Sequence, residues 1–189
     1  MTDGDHRTAH DNYVTELALA AGKGDRQALN TFIKETQSDV WRLLAHLGGV
    51  DSADDLTQET YLRVIKSLPR FAARSSARTW LLAVARRAWL DNIRHDMARP
   101  KKASAQVEHV SAISEATWSE WVDIHLLIDD LPPERREALI LTQILGYSYE
   151  EAAKIANVRI GTIRSRVARA RADIIAAAHP NHTQERKLS

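Results

Sequence analysis

The stretch YSYEEAAKIANVRIGTIRSRV, Tyr147 to Val167, has the logic of two short helices joined by a tight turn, and the rest of the chain is read outward from it. Ser148 can cap the first helix, and Glu151, three positions on, can close a capping box. Ala152 and Ala153 are small where two helices would cross closely. Asn157 falls at the turn, where a left-handed backbone is needed and Asn adopts it more readily than most side chains. The second helix advances about 100° per residue. On it Ile163, Val167, Ala170 and Ile174 share an inner face, while Arg164, Ser165, Ala168 and Arg169 share an outer arc. A hydroxyl and two arginines on an exposed arc suit base-edge and phosphate contacts in a major groove.

Helical spacing continues upstream. Gly and Pro are scarce, 7 and 5 in 189 residues, and apolar residues recur every three or four positions, which predicts an all-α fold. A first helix carries Val14, Leu17, Ala18 and Ala21. A second runs from about Asp25 to Leu47 and stops at Gly48-Gly49. A third, capped by Asp51 or Ser52 with Asp55 in capping-box position, runs to Pro69, with Leu56, Leu62, Ile65 and Leu68 expected inward. Arg70 to Ala77 reads as a loop. A fourth helix, Thr79 to about Met97, places Trp80, Leu81, Val84 and Ala88 on one face, so Trp80 is expected in the core.

The run ARPKKASAQVEHVSAISE, residues 98–115, has no sustained period and reads as a flexible linker. Two small helical domains are therefore expected, 1–97 and 116–180, with a disordered tail at 181–189. The second group begins near Trp118–Trp121, breaks at Asp130–Pro133 and resumes from Glu134 to Leu145.

Charge is segregated. Lys and Arg number 26 against 25 Asp and Glu, a net of +1. Yet residues 51–59 hold four acids and no bases, and residues 70–102 hold nine bases and two acids. Residues 108–137 hold eight acids and two bases, and residues 154–171 hold six bases and no acid. The small total is a cancellation between unlike surfaces.

Zero cysteines exclude disulfides, thiolate metal sites and thiol nucleophiles. The eight histidines form no HExxH motif, so no metal, no cofactor and no catalytic residue is expected. The polar, acidic start lacks the apolar core of a signal peptide and no stretch reaches membrane-spanning length, so a cytoplasmic protein is expected.

Three blocks in order, DDLTQETYLRVIKSLPRF, SARTWLLAVARRAWLDNIR and LPPERREALILTQILGYSYEEAAKIANVRIGTIRSRVARAR, resemble an extracytoplasmic-function (ECF) sigma factor of the sigma-70 superfamily. The resemblance spans about residues 14–178. It implies an alternative sigma factor whose partners are core RNA polymerase, through its β′ clamp helices and β flap, and promoter DNA. It places Asp54, Asp55, Gln58 and Glu59 towards the clamp. Carboxylates early in a helix suit its dipole and offer acceptors to a partner's arginines.

The resemblance places Arg74, Arg78, Arg86, Arg87, Asn92 and Arg94 towards −10 DNA, where cations neutralise phosphate and amides hold bases. Arg87 stands where many relatives carry Asn, at a position that the resemblance places in the loop that captures a flipped base. Arg159, Thr162, Arg164, Ser165, Ala168 and Arg169 fall towards the −35 element. Thr142 stands where some relatives carry a phosphate-binding Arg, so a weaker contact is expected there. Val158-Arg159-Ile160-Gly161 replaces the usual Cys-Pro-Val-Gly. Regulation is expected through an anti-sigma factor, or through self-masking by the acidic span 108–137. The competing reading is a stand-alone helix-turn-helix regulator.

Overall fold

The computed structural model describes the backbone of residues 3–98, 128 and 130–178, and the side chains of 7–95, 128 and 130–177. Among these residues every regular element is helical. They are α1 (Asp3–Gly22), α2 (Arg26–Gly48), α3 (Val50–Ser67), a 3₁₀ turn (Leu68–Arg70), α4 (Ala77–Ala98), α5 (Pro133–Leu139), a π-helical segment (Ile140–Ile144), α6 (Tyr149–Ala156) and α7 (Ile160–Ala178). The chain splits into two compact units, one carrying α1 to α4 and the other the bulk of α5 to α7. The expected linker, the tail, the Trp118–Trp121 group and most of the acidic span 108–137 lie outside the described residues.

In the first unit α2 is the central helix and packs against α1, α3 and α4. Asp25 caps it, its carboxylate accepting from the backbone N–H groups of Gln27 and Ala28 at 2.9 and 3.0 Å. Phe32, Val40, Leu43 and Leu44 of α2 are buried with Val14 and Ala18 of α1, Val64 of α3, and Leu81 and Leu82 of α4.

The third helix departs from expectation at two places. It begins at Val50, so Ser52 lies inside its first turn, and its hydroxyl donates back to the carbonyls of Gly48 and Gly49 rather than capping. Its inward face is Ala53, Leu56, Thr60, Tyr61 and Val64, whereas Leu62 and Ile65 are 56% and 43% exposed. Thr60 can occupy the core because its hydroxyl donates to the Leu56 carbonyl at 2.7 Å.

Tyr61 packs inward with its phenol 2.7 Å from the Thr36 hydroxyl. Burial pushes that phenol up to about 12; the hydrogen bond with Thr36 opposes the shift and the Asp39 carboxylate adds to it. A folded-state value above the unfolded one means that the stabilisation is complete below pH ~10 and is lost as pH rises towards ~12. Two pH units correspond to about 3 kcal/mol. Tyr61→Phe is therefore expected to flatten the alkaline loss of stability between pH ~9 and ~12, read from denaturant midpoints. An unchanged slope would show that Tyr61 titrates alike in the folded and unfolded states.

In the second unit α5 packs against α7, and Ile140, Leu141, Ile163, Val167 and Ala170 are buried. The helix expected over Glu134–Leu145 is α for one stretch and π for the next. The wider π turn aims the Leu145 N–H at the Ile140 carbonyl, 2.9 Å away.

Candidate nucleic-acid and partner interfaces

The helix-turn-helix is built locally as its sequence predicts. The backbone N–H of Ser148 donates to the Glu151 carboxylate at 2.9 Å, and the Glu151 N–H donates to the Ser148 hydroxyl at 3.2 Å. Asn157 takes the left-handed conformation, φ 54°. Ala152 and Ala153 are buried. Ile163, Val167 and Ala170 turn inward on α7, and Ile174 is half-buried.

Arg164, Ser165, Ala168 and Arg169 are all exposed, so the outer arc is continuous. Arg159 is exposed just before the helix, and Thr162 is half-buried. The Ser165 hydroxyl donates to the Thr162 carbonyl at 2.9 Å, leaving its lone pairs towards solvent. Two other cations of this unit serve its scaffold. Arg171 donates to the Gln143 side chain at 2.6 Å, and Arg135 pairs with Asp173 at 2.5 Å. Thr142, expected to make a weak phosphate contact, is buried and donates to the Ala138 carbonyl at 2.8 Å. It has no exposed face to offer DNA.

On α3, Asp55, Gln58 and Glu59 are exposed, while Asp54 is half-buried and accepts the Trp41 indole N–H at 2.8 Å. Glu59 is held by Arg63 at 2.8 Å, and Arg63 also reaches Asp91 of α4 at 2.7 Å. These hydrogen bonds, to Glu59 and then to Asp91, raise the already high pKa of Arg63. The exposed Leu62 and Ile65 extend the acidic strip by an apolar patch. The spacing Asp55, Gln58, Leu62, Ile65 is that of one helix face; reading the aliphatics as core conceals it.

Of the residues expected at −10 DNA, Arg74, Arg87 and Arg94 are exposed, and Arg86 and Asn92 are half-buried; Arg87, expected in a loop, lies in the middle of α4, whose helical spacing runs unbroken through it. Arg94 has Asp91 at 3.2 Å. Arg78 differs from expectation. Its side chain is 13% exposed and lies between two carboxylates, Asp11 of α1 at 2.9 Å and Asp39 of α2. A guanidinium saturated by two carboxylates has little left for phosphate. Trp80, expected in the core, is half-buried and packs on Phe71 in a tilted arrangement with ring centroids 4.8 Å apart.

Two helical units, one ending in a helix-turn-helix with arginines on its outer arc, define a DNA-binding transcription factor by class. A profile described as Sigma-70 region 2 matches residues 32–99, and one described as Sigma-70, region 4 matches residues 121–174. The chain is 53% identical over 174 residues to the ECF RNA polymerase sigma factor SigC of Mycobacterium tuberculosis, covering 90% of this chain and 94% of that protein. It is 33% identical over 140 residues to the ECF RNA polymerase sigma factor EcfG of Rhodopseudomonas palustris, covering 73% of this chain and 77% of that protein. In fold it is similar to CnrH, solved in complex with the cytosolic domain of CnrY, with a TM-score of 0.70 at 21% identity over 89% of this chain and 99% of that one.

The chain belongs to the ECF sigma factors of the sigma-70 superfamily. It is an alternative sigma factor that directs transcription initiation. A stand-alone helix-turn-helix regulator would account for the region 4 match and leave the region 2 match without a reason.

Proposed function

We propose that this sigma factor docks on the β′ clamp helices of core RNA polymerase through Asp55, Gln58 and Glu59 with Leu62 and Ile65, and reads promoter DNA with both units. Asp54 has a supporting role, since its carboxylate holds Trp41. Arg74, Arg86, Arg87, Asn92 and Arg94 face −10 DNA. Arg159, Thr162, Arg164, Ser165, Ala168 and Arg169 face the −35 element, with the second unit held near the β flap. The corresponding division is 1–97 for the clamp and −10 domain, 98–115 for a linker, 116–180 for the −35 domain and 181–189 for a tail.

The protein acts by binding rather than by catalysis, and it works in the cytoplasm. Among the described residues no helix is long and apolar enough to cross a membrane. An anti-sigma factor is the expected regulator: CnrH was solved with CnrY, and the sigma factor RpoE of Bartonella quintana, similar in fold with a TM-score of 0.61, was solved with the anti-sigma factor NepR.

The observation that carries this reading is the two-sided α7, buried at Ile163, Val167 and Ala170 and exposed at Arg164 and Arg169. Its test is run-off transcription with bacterial core polymerase over a panel of −10/−35 pairs, where initiation above core alone on a subset is expected. No initiation on any promoter would refute it. Arg164→Ala or Arg169→Ala is expected to cost about 1–3 kcal/mol on the preferred −35 sequence if the side chain reads a base. An equal loss on every sequence would assign it to phosphate.

A further inference from the structure

We infer that α1 is a platform that sets the position of the basic loop Arg70–Ser76, and that Asp11 and Thr15 are positioning residues for −10 recognition. The inference rests on the assignment of this loop to −10 DNA. Helix α1 lies upstream of residues 32–99, which the region 2 profile matches.

Both ends of the loop are seated on α1 or closed by neighbours. At the entry, the 3₁₀ turn packs so closely on Gly22 that a Cβ there would lie 2.7 Å from the Leu68 carbonyl oxygen. Phe71 then donates its N–H to the Leu68 carbonyl at 3.0 Å and packs its ring against Trp80.

At the exit, the first turn of α4 has N–H groups that need partners from outside the helix. Ser76 accepts the Thr79 N–H at 3.2 Å. The Ala77 N–H donates to the Thr15 hydroxyl of α1 at 3.0 Å. That hydroxyl in turn donates to the Asp11 carbonyl at 2.7 Å, using one proton and one lone pair at once. The Asp11 carboxylate accepts from Arg78 at 2.9 Å, and Asp39 accepts from the Arg78 Nε at 2.9 Å.

Between these anchors Ala72, Ala73 and Arg74 are exposed, and Ala73 is held at φ 49°. An alanine takes that conformation only where its surroundings impose it. A short loop with anchored ends and an exposed middle presents its cation in one place, so less ordering remains to be done on binding. Arg78 thereby acts on DNA through the loop that it helps to anchor.

The test compares holoenzymes carrying wild-type sigma, Thr15→Val, Thr15→Ser and Asp11→Asn. The probes are a single-stranded −10 oligonucleotide selected by the wild-type holoenzyme from a randomised pool, and its scrambled counterpart. Thr15→Val keeps the shape and loses the hydroxyl. It is expected to weaken the selected strand roughly fivefold, the scale of one hydrogen bond, and to shrink the selected-to-scrambled ratio, with core polymerase binding unchanged. Thr15→Ser is expected to restore the ratio, and Asp11→Asn to reduce it.

An unchanged ratio in Thr15→Val would overturn the inference. So would a parallel loss of polymerase binding, the mark of a general lesion, or a failure of Thr15→Ser to restore the ratio. Failure of the wild-type holoenzyme to select any strand would instead overturn the −10 assignment itself, and the inference with it.

Discussion

Reversing two charges, Asp55→Lys with Glu59→Lys, is expected to lower the affinity of the sigma factor for core polymerase at least about a hundredfold, which is roughly 3 kcal/mol. Both side chains are exposed, and they replace acceptors for a basic partner with like charge, which costs several kcal/mol across an interface. Little of the effect should come from misfolding. Asp55 touches solvent, and Arg63, when it loses Glu59, keeps Asp91 at 2.7 Å. Asp55 and Glu59 lie beyond the first turn of α3, so the helix dipole adds little to the effect, and a melting curve would register any loss of stability separately. Asp54→Asn is the control, because an amide oxygen can still accept the Trp41 indole N–H, and a small effect is expected. Undiminished binding of the double variant would remove the acidic strip from the docking surface.

The second large effect is structural. Ile163→Ala is expected to unfold the second unit and abolish −35 recognition. Ile163 is fully buried in α7, and truncation of such a side chain costs about 2–5 kcal/mol in lost transfer energy and cavity formation. A helical unit of fewer than about 80 residues commonly has only about 3–5 kcal/mol of stability to lose. The first unit has its own core around Phe32, Leu43 and Leu44, so polymerase binding through α3 should persist. Calorimetry of the variant should show one transition lost and one retained. A single transition displaced as a whole would show that the two units fold together.

What could be read in advance follows the range of the forces. The capping box of Ser148 and Glu151, the left-handed Asn157 and the inner stripe Ile163–Val167–Ala170 all join residues within four positions, or depend on one residue's own conformation. Sequence spacing determines them. The cap expected at Ser52 failed by three residues, since a helix that starts at Val50 rather than Ala53 turns a capping hydroxyl into one that bonds backward.

The face of α3 failed for a more general reason. Its inward residues Ala53, Leu56, Thr60 and Val64 follow helical spacing, but two of them are small or polar. Weighing only the large aliphatics puts Leu62 and Ile65 inside. Thr60 becomes a core residue once its hydroxyl is absorbed by the Leu56 carbonyl, and the exposed pair is then available to a partner.

Arg78 is the clearest case of a role set at long range. In the sequence it is one arginine among nine bases in residues 70–102. Its carboxylates come from Asp11, 67 positions away, and Asp39, 39 positions away. The sequence by itself determined the helices, the turn at Asn157, the segregated charge and the family. Only the tertiary structure decided which charges face outward: helix periodicity is local, whereas a charge is engaged or available according to what distant segments bring beside it.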